Sequence, residues 1–157
     1  MQFAYIGVLA SSFSLNSDIL AYFEMSLGMP EEDWKQRLYL ITGPTVDQRS
    51  KTPFWLFECD YVVLGDPPLY HLNPEDQRVV VIPTNKILQG DGFGKAFEKL
   101  EYSFKLKDGS VIYIYKRVRD VSQEEAQDLA EEFHNLYPLL PQQYPPNAPQ
   151  VISNRTS

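Results

Sequence analysis

The chain has 157 residues, 21 acidic and 14 basic side chains, a formal net charge of −7, and 43% hydrophobic residues. This is enough chain for one domain with its own core. The acidic balance argues against nucleic acid as a partner, because phosphate contacts need clustered Lys and Arg. The single cysteine, Cys59, excludes an internal disulfide and a thiolate zinc cluster within one chain. The longest apolar runs fall far below the ~18 residues that a membrane-spanning helix needs.

The first half of the chain alternates strand and helix patterns. Residues Phe3–Leu9 predict a buried strand, and Asn16 is a good helix N-cap because its side-chain oxygen can accept a backbone N–H. Further strands are predicted at Leu38–Thr42 and Tyr61–Leu64, with a short helix around Thr52–Phe57 between them. Strands separated by single helices favour parallel pairing. This half therefore predicts a small, mostly parallel three-layer α/β sheet.

The second half adds a different kind of unit. The β-branched run Arg78–Ile82 predicts a strand buried on both faces. Asp108-Gly109, flanked by aromatic and β-branched residues, predicts a β-hairpin. Ser122, with Glu125 three residues later, is typical of a capping box that begins an amphipathic helix. The predicted fold class is therefore α/β, with a C-terminal hairpin and helix added to the parallel sheet.

Proline and charge are unevenly distributed along the chain. We expect a single domain over residues 1–138 and a flexible tail over 139–157, because five prolines fall between positions 138 and 149. Residues 95–119 hold seven basic and three acidic side chains, whereas residues 120–134 hold six acidic ones and no Lys or Arg. Solvated surface faces explain this pattern. A basic strip that faces anionic lipid head groups is the alternative.

The glycine-rich segment Gly90–Lys95 superficially resembles a phosphate-binding loop. It lacks the Ser or Thr that follows the Lys in such loops, and it does not lead from a strand directly into a well-formed helix. A flexible connector whose glycines adopt positive φ is the simpler interpretation.

Candidate binding residues are suggested by position rather than by a motif. In parallel α/β sheets ligands gather at the carboxyl ends of strands, where Asp66 and the turn that ends at Asn16 should both lie. With His71 and Arg78 nearby, these residues could line one pocket for a phosphorylated metabolite. Cys59 fits a buried thiol better than a nucleophile. Two histidines make a poor metal site, so no metal or cofactor is expected.

Several runs of sequence carry a resemblance to a known family. They are Asp60–Leu64, Tyr70–Val80, Gly94–Phe97 and Phe104–Ser110 with Ile114–Arg117. Together they resemble the C-terminal soluble part of cyanobacterial integral-membrane glycosyltransferases, which are similar to dolichyl-phosphate-mannose protein mannosyltransferases and lipid A aminoarabinose transferases. The catalytic residues of that family belong to its membrane-spanning portion, so none is carried over to this chain.

The resemblance implies a role without catalysis. It implies a non-cytoplasmic domain of an enzyme that uses lipid-linked sugar donors, helping to bind or enclose the acceptor. The implied partner is the transmembrane portion of the transferase, with lipid head groups as a possible second contact, and the implied location is the periplasmic face of a membrane. Two alternatives stay open: a small cytoplasmic protein that binds or acts on a phosphorylated metabolite, and a protein-interaction module that uses aromatic edges and the Pro-rich tail.

Overall fold

A computed structural model describes residues 4–16, 18, 19, 39–41, 52–139, 141 and 143. The strands are β1 (Tyr5–Leu9), β2 (Tyr39–Ile41), β3 (Tyr61–Asp66), β4 (Phe97–Lys105) and β5 (Val111–Arg117). The two complete α-helices of the described residues are α1 (Arg78–Gln89) and α2 (Gln123–Leu136), and 3₁₀ turns lie at Phe54–Glu58, Pro74–Asp76 and Gly92–Ala96. Most of the helix that is predicted to follow Asn16 falls on residues outside the described ones.

The strands form one mixed sheet in the order β2-β1-β3-β5-β4. β1 pairs in parallel with β2 and with β3, whereas β5 pairs antiparallel with β3 and with β4. Both α1 and α2 contribute to the same core cluster on one face of this sheet. The prediction of a mostly parallel three-layer sheet is therefore wrong, because the hairpin strands join the same sheet and make half of its pairings antiparallel.

The predicted strand at Arg78–Ile82 is also wrong, since this run begins helix α1. β-branched residues cost a helix only about half a kcal/mol each relative to better helix formers. Burial outweighs that cost, because the chain places its buried side chains at helical spacing over a longer window. They are Val79, Val80, Pro83, Thr84 and Ile87.

Two clusters of buried side chains lie on the two faces of the sheet. The main core joins Leu9, Val62 and Leu64 of the sheet to side chains of both α-helices, among them Ile87 and Leu129. The second core is smaller and contains Val8, Ala10, Leu15, Leu69 and Ile112. Residues next to each other in β1 and β3 alternate between the two clusters, as the pleat of a strand requires.

The hairpin and the last helix confirm their local predictions. Gly109 has φ of 94° in the turn between β4 and β5. The capping box is present, because Ser122 Oγ accepts the Glu125 backbone N–H at 3.2 Å and the Ser122 N–H donates to Glu125 Oε2 at 2.9 Å. Beyond α2, Gln143 Oε1 accepts the Thr52 N–H at 2.7 Å, so residue 143 contacts the domain.

In the parts of the chain that the structure describes, no helix has both the length and the apolar character needed to cross a bilayer.

Candidate functional site

The carboxyl ends of β1 and β3 bring two loops together. These strands are parallel neighbours with Leu9 opposite Leu64, so both end at the same edge of the sheet. The loop after β1 then pairs with the loop after β3, since the Ser11 N–H donates to the Leu69 carbonyl at 2.8 Å. A parallel bridge between Ser11 and Tyr70 continues the contact.

His71 ties the two loops together with its side chain. Its Nδ1 lies 2.5 Å from the Ser11 carbonyl oxygen and 3.0 Å from Ser11 Oγ, and its backbone N–H donates to Gln77 Oε1 at 3.1 Å. A carbonyl oxygen only accepts hydrogen bonds, so Nδ1 carries the hydrogen, and Nε2 has the lone pair when the ring is neutral. Nδ1 therefore cannot take a proton from Ser11, and the two residues do not form a nucleophile–base pair.

The loop after β1 is organised by its own side chains. Ser12 Oγ accepts the backbone N–H groups of Ser14 at 3.3 Å and Leu15 at 3.1 Å. Asn16 Nδ2 donates to the Ser12 carbonyl at 3.1 Å, while Asn16 Oδ1 accepts the Ile19 N–H at 2.9 Å. The second bond confirms Asn16 as a helix N-cap. These bonds fix the loop in one conformation.

Two apolar side chains of these loops are exposed. Phe13 is 91% exposed, and its ring lies 5.9 Å from the His71 ring, centroid to centroid. Leu72, next to His71, is 43% exposed. We call Ser11, Phe13, His71 and Leu72 the carboxyl-end rim. Its base is the second core, where Leu15 from one loop and Leu69 from the other are buried together.

The structure distributes the four sequence-predicted binding residues over more than one place. Asn16 and His71 both bond to the Ser11–Ser12 segment. Asp66 ends β3 at the same edge, where it is exposed, and a cis peptide bond joins it to Pro67. Arg78 instead lines a groove between α1 and α2, together with Ile82, Asp128, Glu131, Glu132, Asn135 and Leu136.

No hydrogen bond or ion pair links Asn16, Asp66, His71 and Arg78 to one another within the described ranges. Three of the four rim residues, Ser11, Phe13 and Leu72, were not among the sequence-predicted binding residues. The available signal was Phe13 itself, since it is a large apolar side chain flanked by serines in the turn that directly follows a strand.

Cys59 and the glycines that follow α1 have structural roles. Burial raises the pKa of the Cys59 thiol to about 12, which keeps it protonated. Gly90 ends α1 with φ of 62°, and Gly94 packs directly on the α1 backbone. No group of three or more His, Cys, Asp or Glu residues that could hold a metal ion occurs in the described part of the chain.

Comparisons with protein-family models, with curated proteins and with solved structures find no match to this chain.

Proposed function

We propose that this chain is a non-catalytic domain of an integral-membrane glycosyltransferase that uses lipid-linked sugar donors, and that its carboxyl-end rim contacts the acceptor or helps to enclose it. The sequence runs that resemble this family support the proposal, because they fall on connected elements of the domain. They lie on β3, on the loop that leads into α1, on the 3₁₀ turn after α1, and on the β4–β5 hairpin.

The observation that carries the proposal is that the polar and the apolar groups of the rim have different roles. Its polar groups bond to one another and to the backbone, so they hold two loops in place. Its apolar groups, Phe13 and Leu72, are left exposed on that fixed support. A preorganised rim with exposed apolar side chains suits contact with a partner or substrate. Burying one Phe side chain contributes roughly 1.5–3 kcal/mol.

The transmembrane portion of the transferase is the proposed partner, and the periplasmic face is the proposed location. Lipid head groups are a weaker second contact, because the basic segment is partly neutralised within the domain. Arg117 lies 2.8 Å from an Asp120 carboxylate oxygen and 3.7 Å from one of Asp60. Arg119 lies 2.7 Å from a Glu125 carboxylate oxygen. The proposal therefore depends on the rim and not on lipid binding.

Substitution of Phe13 in the full-length transferase tests the proposal. We expect Phe13→Ala to raise the KM for the acceptor about tenfold, the loss of roughly half of a buried Phe contact. The amount of protein in the membrane should not change. Leu139→Ala is the matched control, since Leu139 is 98% exposed and lies outside the rim. Unchanged kinetics for Phe13→Ala would overturn the assignment of the rim.

A further inference from the structure

Among the residues that the structure describes, strand β4 is an edge strand that pairs with β5 alone. Eight of its nine residues, all but Phe97, are exposed or partly exposed. Tyr102 is 69% exposed and Phe104 is 56% exposed. Glu101 and Lys105 form no ion pair with any other residue that the structure describes. An edge of this kind is a template for pairing with another strand.

The sequence of this edge is complementary to itself. When two copies of β4 run antiparallel with Ser103 opposite Ser103, Glu101 lies opposite Lys105 in both directions. The same register places Tyr102 opposite Phe104 in both directions. Opposite charges and aromatic pairs are the cross-strand contacts that stabilise antiparallel sheets. Each favourable pair occurs twice because the interface has two-fold symmetry.

We propose that β4 is a homodimer interface, in which residues 101–105 pair antiparallel with the same residues of a second copy of this chain, centred on Ser103. This inference is independent of the proposed function. The charge complementarity favours a second copy of the chain as the partner, since an unrelated strand would not be expected to place an acidic residue opposite Lys105 and a basic one opposite Glu101.

The same register limits the length of the interface. Beyond the central five residues it places Lys99 opposite Lys107, and like charges directly opposite each other are destabilising. The Lys99 side chain also contacts its own chain rather than a second copy, since its Nζ lies 3.4 Å from the Tyr113 ring centroid. The β4–β5 pairing also has an irregularity between Lys99 and Ser103, which falls on the N-terminal part of the proposed segment and shortens the regular stretch of strand there. The interface is therefore short, and we expect a dimer of modest affinity that does not extend into longer assemblies.

A charge swap tests the register. Sedimentation velocity of the chain at increasing concentration should show a reversible monomer–dimer equilibrium. Glu101→Lys should weaken dimerisation about tenfold, because two attractive pairs become repulsive. The double variant Glu101→Lys with Lys105→Glu restores opposite charges at both pairs and should recover the wild-type dissociation constant. Glu124→Lys, a charge reversal at an exposed position on α2, is the control and should have no effect.

Cross-linking gives a second readout that does not depend on affinity. Ser103→Cys should form a covalent dimer with a short bis-maleimide, while Glu124→Cys should not. The native Cys59 is buried and does not interfere. A chain that stays monomeric at every concentration would overturn the proposal. A dimer that the charge swap does not restore, or that Ser103→Cys fails to cross-link, would also overturn it.

Discussion

Among the glycines that the structure describes, Gly94 is the one where an added methyl group should disturb the domain most. A Cβ at Gly94 would overlap the backbone carbonyl of Lys86 in α1 and would lie 2.9 Å from the Ile87 Cα. The atoms that it meets belong to the backbone, so no side chain can rotate away. The 3₁₀ turn and α1 would have to separate, although Ile87 and Phe93 pack between them in the main core.

The expected cost of Gly94→Ala is about 3 kcal/mol, at the upper end of the range for overpacking a core. For a domain of this size, that corresponds to a fall of about 6–12 °C in the melting temperature. Two neighbouring substitutions act as controls. Lys95→Ala changes an exposed side chain and should alter stability by less than about 0.5 kcal/mol. Gly90→Ala meets no atom within 4 Å, so it should cost about 1–2 kcal/mol through its positive φ alone.

Thermal unfolding followed by circular dichroism measures all three variants. The expected order of melting temperatures is wild type and Lys95→Ala together, then Gly90→Ala, then Gly94→Ala. A Gly94→Ala variant that melts within about 2 °C of wild type would refute the close approach of the turn to α1.

Two further predictions concern titratable groups. The hydrogen bonds from Arg119, together with those from Ser122, lower the pKa of Glu125 to about 2. Because the folded-state pKa lies below the ordinary value near 4.5, this stabilisation is present above about pH 5 and is lost as the pH falls towards 2. Glu125→Gln should therefore cost about 1–2 kcal/mol at pH 6.5 after screening by solvent and clearly less at pH 3 in urea unfolding, and an equal cost at both pH values would contradict this. Cys59 should react with a thiol reagent at least about a hundredfold more slowly in the native protein than in urea, and rapid native labelling would contradict its burial.

Local sequence signals predicted the elements that depend on short-range chemistry. The turn at Asp108-Gly109 involves adjacent residues, and the capping box joins Ser122 to Glu125, three residues later. In both cases the interacting residues are close together in the sequence, so the local sequence contains the whole interaction. The prediction of a strand at Arg78–Ile82 was wrong for the opposite reason. Its β-branched residues favour a strand locally, and the burial that makes it a helix comes from packing against distant elements of the main core.

The candidate site was predictable in location but not in composition. The polar turn after β1 and the end of β3 were expected at one edge, and the parallel pairing of these strands places them there. The contact between Ser11 and His71 joins residues 60 positions apart. No spacing rule predicts such a contact, because it depends on how the loop after β3 folds back to meet the loop after β1. Arg78 lies away from the rim because it begins helix α1 and lines the groove between α1 and α2.

The size and fractionation of the native product test the proposed function most directly. An antibody raised against this domain, applied to fractionated source cells, should detect a band much larger than 18.1 kDa in the membrane fraction. That result would establish the domain as part of a larger membrane protein, as a transferase domain must be. A band near 18.1 kDa in the soluble fraction would contradict the proposal.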